Sequence, residues 1–187
     1  MAYYIGQFFG LMTTVCSLIL PFLKKKWQFL VTNIAINTFV ILNMALIGQF
    51  GSAIFLCLVA ISQSTLALFR TKHDGTVGVP EAVIFTCLYV GCGLFGIVTA
   101  PGFEWVLSYR NLLELLPIMG ALCQMICVFV RDEQTTRKWV LCNGLFWMTY
   151  SAAVGSSVFF NDLLTVISTA TALYKYRRKK PEHTSAS

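Results

Sequence analysis

The chain has 187 residues, of which 57% are hydrophobic and 12% charged, and its mean hydropathy is +0.71. So little polar surface cannot coat a soluble domain of this size, so composition excludes a water-soluble globular protein and assigns the chain to a bilayer. The net charge of +6 would suit nucleic acid, but the cations are confined to short intervals between apolar stretches, and no nucleic-acid partner is expected.

A membrane span needs about 20 mainly apolar residues. Seven stretches near that length follow one another, at 3–23, 28–49, 52–70, 81–100, 112–130, 139–154 and 157–174, the sixth being the shortest. The expected fold class is all-α, a polytopic membrane protein with seven transmembrane helices. The first stretch follows only Met1 and Ala2, with no basic segment and no small-residue cleavage pattern before Lys24, and reads as an uncleaved span. Lys24, Lys25 and Lys26 follow span 1, Arg70 and Lys72 follow span 3, and Arg131, Arg137 and Lys138 follow span 5. Lys175, Arg177, Arg178, Lys179 and Lys180 follow span 7. The alternate connections, 49–51, 101–110 and 155–156, hold one cation, Arg110. By the positive-inside rule the N-terminus is expected outside and the C-terminus in the cytoplasm, as an odd number of spans requires.

The connections 71–80 and 101–110 flank span 4 and leave a block of three spans on either side. The domain plan expected is a three-helix bundle over 1–70, a linker with transmembrane helix 4 over 71–110, a second three-helix bundle over 111–176 and a basic cytoplasmic tail over 177–187. The blocks echo each other in order. Gly10-Leu-Met-Thr pairs with Gly120-Ala-Leu-Cys, Lys25-Lys-Trp27 with Arg137-Lys-Trp139, and Ile61-Ser-Gln-Ser-Thr65 with Ile167-Ser-Thr-Ala-Thr171. One helix between the blocks makes both run in the same sense through the bilayer, a 3+1+3 parallel repeat about an axis along the membrane normal.

Three acids come into consideration, because a charge at bilayer depth costs a few kcal/mol or more and tends to mark function. Glu81, after Pro80, suits the positive end of the span 4 helix. Glu114 stands three residues after Asn111, a spacing that fits a capping box at the start of span 5; the functional alternative is a carboxylate at the mouth of a central path, with Arg110 beside it. Asp162 falls about 9 to 10 Å into span 7, beyond the reach of the helix dipole. It is either hydrogen-bonded to neighbouring helices or a substrate or proton site.

Uncharged polar groups in spans must also turn toward protein or water. Asn33, Asn37, Asn43, Gln63, Gln124 and Asn143 are such groups, with Asn143 and Trp147 on one helical face. For each alone, interhelical hydrogen bonding is a sufficient account; together they can line a polar path with an aromatic platform. Trp27, Trp105 and Trp139 suit interfacial belts. All seven cysteines lie within spans as packing residues, and neither His73 nor His183 completes a metal site, so no disulfide framework, metal or other cofactor is expected. No nucleophile-base pair, phosphate loop or dinucleotide turn is present, and the chain is not expected to be an enzyme.

Gly6-Gln-Phe-Phe-Gly10, Leu113-Glu-Leu-Leu-Pro-Ile-Met-Gly120, Arg137, Trp147, Gly155-Ser156 and Tyr176-Arg177 carry a likeness over nearly the whole length. On these residues the chain resembles the YgjV-type family of small bacterial inner-membrane proteins, and is more distantly similar to the SWEET and PQ-loop carriers. The resemblance implies a bacterial inner-membrane location and two three-helix bundles around a central path for a sugar or amino acid. The chain departs from those carriers in lacking a proline at matching points of both blocks: Pro21 and Pro117 lie at opposite ends of their spans, and Gln7 stands opposite Pro117.

The leading expectation is a small secondary carrier or facilitator for a small polar metabolite. Asn37, Gln63, Asn143 and Trp147 would contact substrate, and Asp162 and Glu114 are the candidates for proton coupling or the polar path. The alternative is a non-transporting membrane protein, such as a sensor, an assembly factor or a structural partner. Partners expected are the lipid bilayer and the small metabolite, with homo-oligomer formation left open.

Overall fold

The computed structural model describes residues 1–19, 26–71, 79–100, 103, 108–129 and 133–178. Seven helices account for nearly all of them, and the described residues contain no strand. They are α1 (Ala2–Ile19), α2 (Lys26–Leu46), α3 (Ser52–Thr71), α4 (Val79–Thr99), α5 (Tyr109–Phe129), α6 (Glu133–Ala153) and α7 (Val158–Arg178). The seven-helix, all-α expectation is met. Three segments are long and apolar enough to cross a membrane by composition alone, Ala2–Ile19, Ser52–Arg70 and Pro80–Thr99, and Leu30–Leu46 is a shorter apolar run. The helix α6 begins at Glu133, six residues before the apolar stretch expected from sequence, because it continues through Thr135, Arg137 and Lys138. An apolar count registers the membrane-compatible part of a helix and not its polar extension.

Pro21, Lys24, Lys25, Lys72, His73, Trp105, Arg131, Lys179, Lys180 and His183 lie outside the described residues, as do the side chains of Lys26, Cys127, Tyr176, Arg177 and Arg178. Of the expected belt tryptophans, Trp27 is 49% exposed. Glu81 stands in the first turn of α4 as expected and also forms an ion pair with Arg70 of α3, with Arg70 Nη1 donating to Glu81 Oε2 at 2.7 Å.

Successive helices pack side by side, and α1 with α7 and α3 with α5 close contacts between the first three helices and the last three. The helix α4 lies against both α3 and α5. Two apolar clusters result. One runs along α3, α4 and α5 through Leu56, Val59, Phe85, Tyr89, Ile118 and Met125. The other, made by Val40, Met44, Ala53, Cys57, Tyr150 and Val158, joins α2, α3, α6 and α7 near the starts of α3 and α7.

Burial along α1, α2, α6 and α7 is uneven. Beyond Thr13 no residue of α1 is buried, and beyond Asp162 none of the described side chains of α7 is. In α6 no described side chain before Gly144 is buried, and in α2 none between Leu30 and Val40. On these helices the buried described side chains therefore gather toward the end that carries the N-terminus, Leu30 excepted.

Candidate functional site

At the N-terminal end, α2 and α6 stop in the same way. Gly48 (φ 80°) and Gly155 (φ 67°) take the left-handed conformation. In each, the glycine N–H returns to a carbonyl three residues back, Ala45 or Ala152, and the next N–H returns five residues back, to Met44 or Ser151. Two bonds in this register form the Schellman stop, which glycine accommodates without a Cβ penalty. Each stop delivers a serine to the start of the next helix.

Those serines are received by the opposite block. Ser157 donates its N–H to Gln7 Oε1 at 2.7 Å and its hydroxyl to the Gln7 carbonyl at 2.7 Å, while Gln7 Nε2 donates to the Gly155 carbonyl at 2.7 Å. Ser52 donates its N–H to Glu114 Oε2 at 2.7 Å and its hydroxyl to the Glu114 carbonyl and Oε2, both at 2.7 Å. Thus α1 caps α7 and α5 caps α3, each with a residue from outside the capped helix. Tyr150 donates to Glu114 Oε1 at 3.2 Å. Fully buried Asn43 donates to the Gly6 carbonyl at 2.7 Å and accepts from Ser156 Oγ at 2.5 Å.

The matched residues Gln7 and Glu114, Asn43 and Tyr150, and Gly48 and Gly155 are each 107 positions apart. The sequence pairings Gly10 with Gly120 and Trp27 with Trp139 have other spacings, 110 and 112. The capping box expected at Asn111 and Glu114 is also revised. The helix α5 starts at Tyr109, Ser108 Oγ accepts from the Asn111 N–H at 3.3 Å, and the Glu114 carboxylate serves α3 instead of its own helix. Gln7, Ser52, Ser156, Ser157 and Tyr150 did not emerge as site residues from the sequence. The available signal was a serine just after a glycine stop and before an apolar run, a helix-start pattern.

The remaining candidates occupy other levels. Asp162 is 7% exposed; its Oδ2 accepts from Ser151 Oγ at 2.8 Å and its Oδ1 from Asn161 Nδ2 at 3.2 Å. Gln63 sits where α3, α4 and α5 meet, accepting from the Tyr89 hydroxyl at 2.8 Å and contacting Met125 Sδ at 3.4 Å. Asn37 donates back to the Asn33 carbonyl at 2.8 Å, and Asn33 reaches Ser64 Oγ at 2.8 Å. Asn143 donates to Gln124 Oε1 at 3.1 Å, while its buried Oδ1 has no partner. The Trp147 indole lies against Gly120: a Cβ there would sit 2.7 Å from the ring and 3.1 Å from Asn143 Oδ1.

Asn37, Asn143 and Trp147 are thus half-buried, and Asn143 adjoins Trp147 across Gly120. Asp162 lies at the last buried level of α7. Gln63 belongs to the separate α3–α4–α5 junction. Glu114 borders a cleft of about 230 Å³ at the N-terminal end, lined also by Gln49, Tyr109, Arg110, Leu113 and Val154.

A family model described as bacterial inner membrane protein, Imp-YgjV, matches residues 4–180. The chain belongs to this family. It is accordingly an integral protein of the bacterial inner membrane. No curated protein and no solved structure matches the chain at a significant level.

Proposed function

We propose that the protein is a small secondary carrier or facilitator, without catalytic activity, for an uncharged or zwitterionic polar metabolite. Two blocks of three helices, 1–70 and 111–176, would form a parallel repeat about the path, with α4 as linker, in distant likeness to the SWEET and PQ-loop carriers. The observation that carries the reading is the one-sided closure of α1, α2, α6 and α7: interlocked at the N-terminal end, unburied toward the other, with Asn37, Asn143 and Trp147 half-buried there. Alternating access requires one end shut while the other admits solute. The matched caps support the repeat. With thirteen of fourteen cations in the alternate set of connections, the open end faces the cytoplasm and the N-terminus lies outside.

In this reading the unpartnered Asn143 Oδ1 accepts a hydrogen bond from the solute and the Trp147 ring supplies its platform. A second reading, a non-transporting sensor, assembly factor or structural partner, draws on a different observation: Asp162 and Gln63 already have protein partners, and paired prolines are missing. Uptake into proteoliposomes of labelled sugars, amino acids, vitamins and nucleosides separates the two. Saturable uptake of one class, lowered about tenfold or more by Asn143→Ala in folded protein, is expected if a buried polar contact to solute is lost. Flat uptake across the panel, with no ligand-induced rise in melting temperature, leaves the second reading standing.

A further inference from the structure

We propose that the two caps are halves of one gate closing the N-terminal end, so that losing either one loosens the other. The proposal rests on the carrier reading for its purpose, but its test needs no solute. Each cap joins the two blocks, Gln7 of α1 to Ser157 of α7 and Glu114 of α5 to Ser52 of α3. Asn43 of α2 adds a third tie, to Ser156. Of the bonds between blocks named above, only the 3.4 Å Gln63–Met125 contact lies elsewhere. The blocks cannot separate at this end while either cap persists, and once one has gone the other holds the gap alone.

The halves differ at one residue. Gln7 uses both functions of its amide, accepting from Ser157 and donating to the Gly155 carbonyl, and does not titrate. Glu114 meets only donors: the Ser52 N–H and hydroxyl at one oxygen and the Tyr150 hydroxyl at the other. An ionised carboxylate, which only accepts, fits that setting. The titratable and charged groups around it are Arg110 and Tyr109 of its own helix, which line the same cleft, Tyr150 of α6, and Cys57 of α3 beyond Tyr150; among the described residues α4 brings no charge to this level.

Hydrogen–deuterium exchange of the detergent-solubilised full chain reads the gate. Gln7→Ala is expected to speed exchange about fivefold or more at the start of α7 and also at the start of α3, in the other block. Glu114→Ala should do the converse, speeding exchange at the start of α3 and also at the start of α7. Exchange around Val59 and Tyr89 reports global unfolding and should not change. If Gln7→Ala unfolds the chain, Gln7→Glu takes its place: it keeps an acceptor for Ser157 but sets an oxygen against the Gly155 carbonyl, so exchange should rise at the starts of both α7 and α3, and no rise at α3 overturns the gate. Acceleration confined to the helix whose own cap is removed reduces the caps to independent helix ends and overturns the gate. That failure leaves uptake untouched, whereas absent uptake with coupled caps rejects the carrier and keeps the gate.

Discussion

At the N-terminal end Asn43 is wholly buried and bonded to groups on α1 and at the start of α7, whereas toward the basic end Asn33, Asn37 and Asn143 are half-buried and bonded within their own block. The residue type is the same, and so is the helix for three of the four. What differs is whether the opposing block closes over the amide. An asparagine at bilayer depth must find a partner, but only where two blocks meet does that partner fix their arrangement. Where they part, the amide satisfies itself locally and keeps capacity in reserve, as Asn143 Oδ1 does.

The largest expected effect tests the closeness of the tight end. A Cβ at Gly10 would stand 3.0 Å from the Val158 backbone nitrogen and 3.0 Å from Asn43 Nδ2, and would collide with Ser157 Oγ. Backbone cannot give way as a side chain can, so Gly10→Ala should cost about 1 to 3 kcal/mol, read as a lower melting temperature in detergent. At Gly144 the nearest atom is a methyl of Val166 at 3.0 Å, and the roughly 1 kcal/mol by which Ala outranks Gly in a helix works in the opposite direction. Gly144→Ala should change stability by less than about 1 kcal/mol. Equal losses at the two sites would mean that the ends are packed alike.

A smaller contrast comes from the amides. Asn43→Ala strands the Ser156 hydroxyl and the Gly6 carbonyl in a dry site, at a cost of about 1 to 3 kcal/mol. Asn33→Ala removes one bond to Ser64, whose hydroxyl can turn to its own helix, so a loss of about 0.6 kcal/mol is expected. Chemical denaturation of both variants checks the ratio; an Asn33 effect as large as that of Asn43 would place a closed interface at the basic end too.

The helices were legible because a span imposes a length and a composition on the residues themselves, and the stretches 52–70 and 81–100 coincide with α3 and α4 within two residues. The start of α6 was not, because Arg137 and Lys138 continue a helix that an apolar count ends. Glu114 was recognised as a capping residue but assigned to the wrong helix: the spacing from Asn111 is local, whereas its partner Ser52 is 62 positions away, and nothing in a single sequence states that distance. Gln7 was passed over for the converse reason. It lacks the charge that drew attention to Glu114 and Asp162, and its role exists only because Gly155 turns Ser157 toward it.

A small effect on stability is also expected at Asp162, the residue that the sequence singled out most sharply. Asp162→Asn keeps an oxygen for Ser151 and brings an N–H₂ group to the side facing Asn161. Asn161 now donates there, but its own Oδ1 is buried without a partner, so a flip of the Asn161 amide converts two opposed donors into a donor and an acceptor. The change should therefore cost less than about 1 kcal/mol, within the range of a single exchanged hydrogen bond, by thermal melting. It also separates the two carboxylates. The Asp162→Asn chain should retain slow exchange at the starts of α3 and α7, because Asp162 bonds only within its own block and holds neither cap. Faster exchange there in Asp162→Asn, with melting unchanged, would extend the tight end down to the level of Asp162.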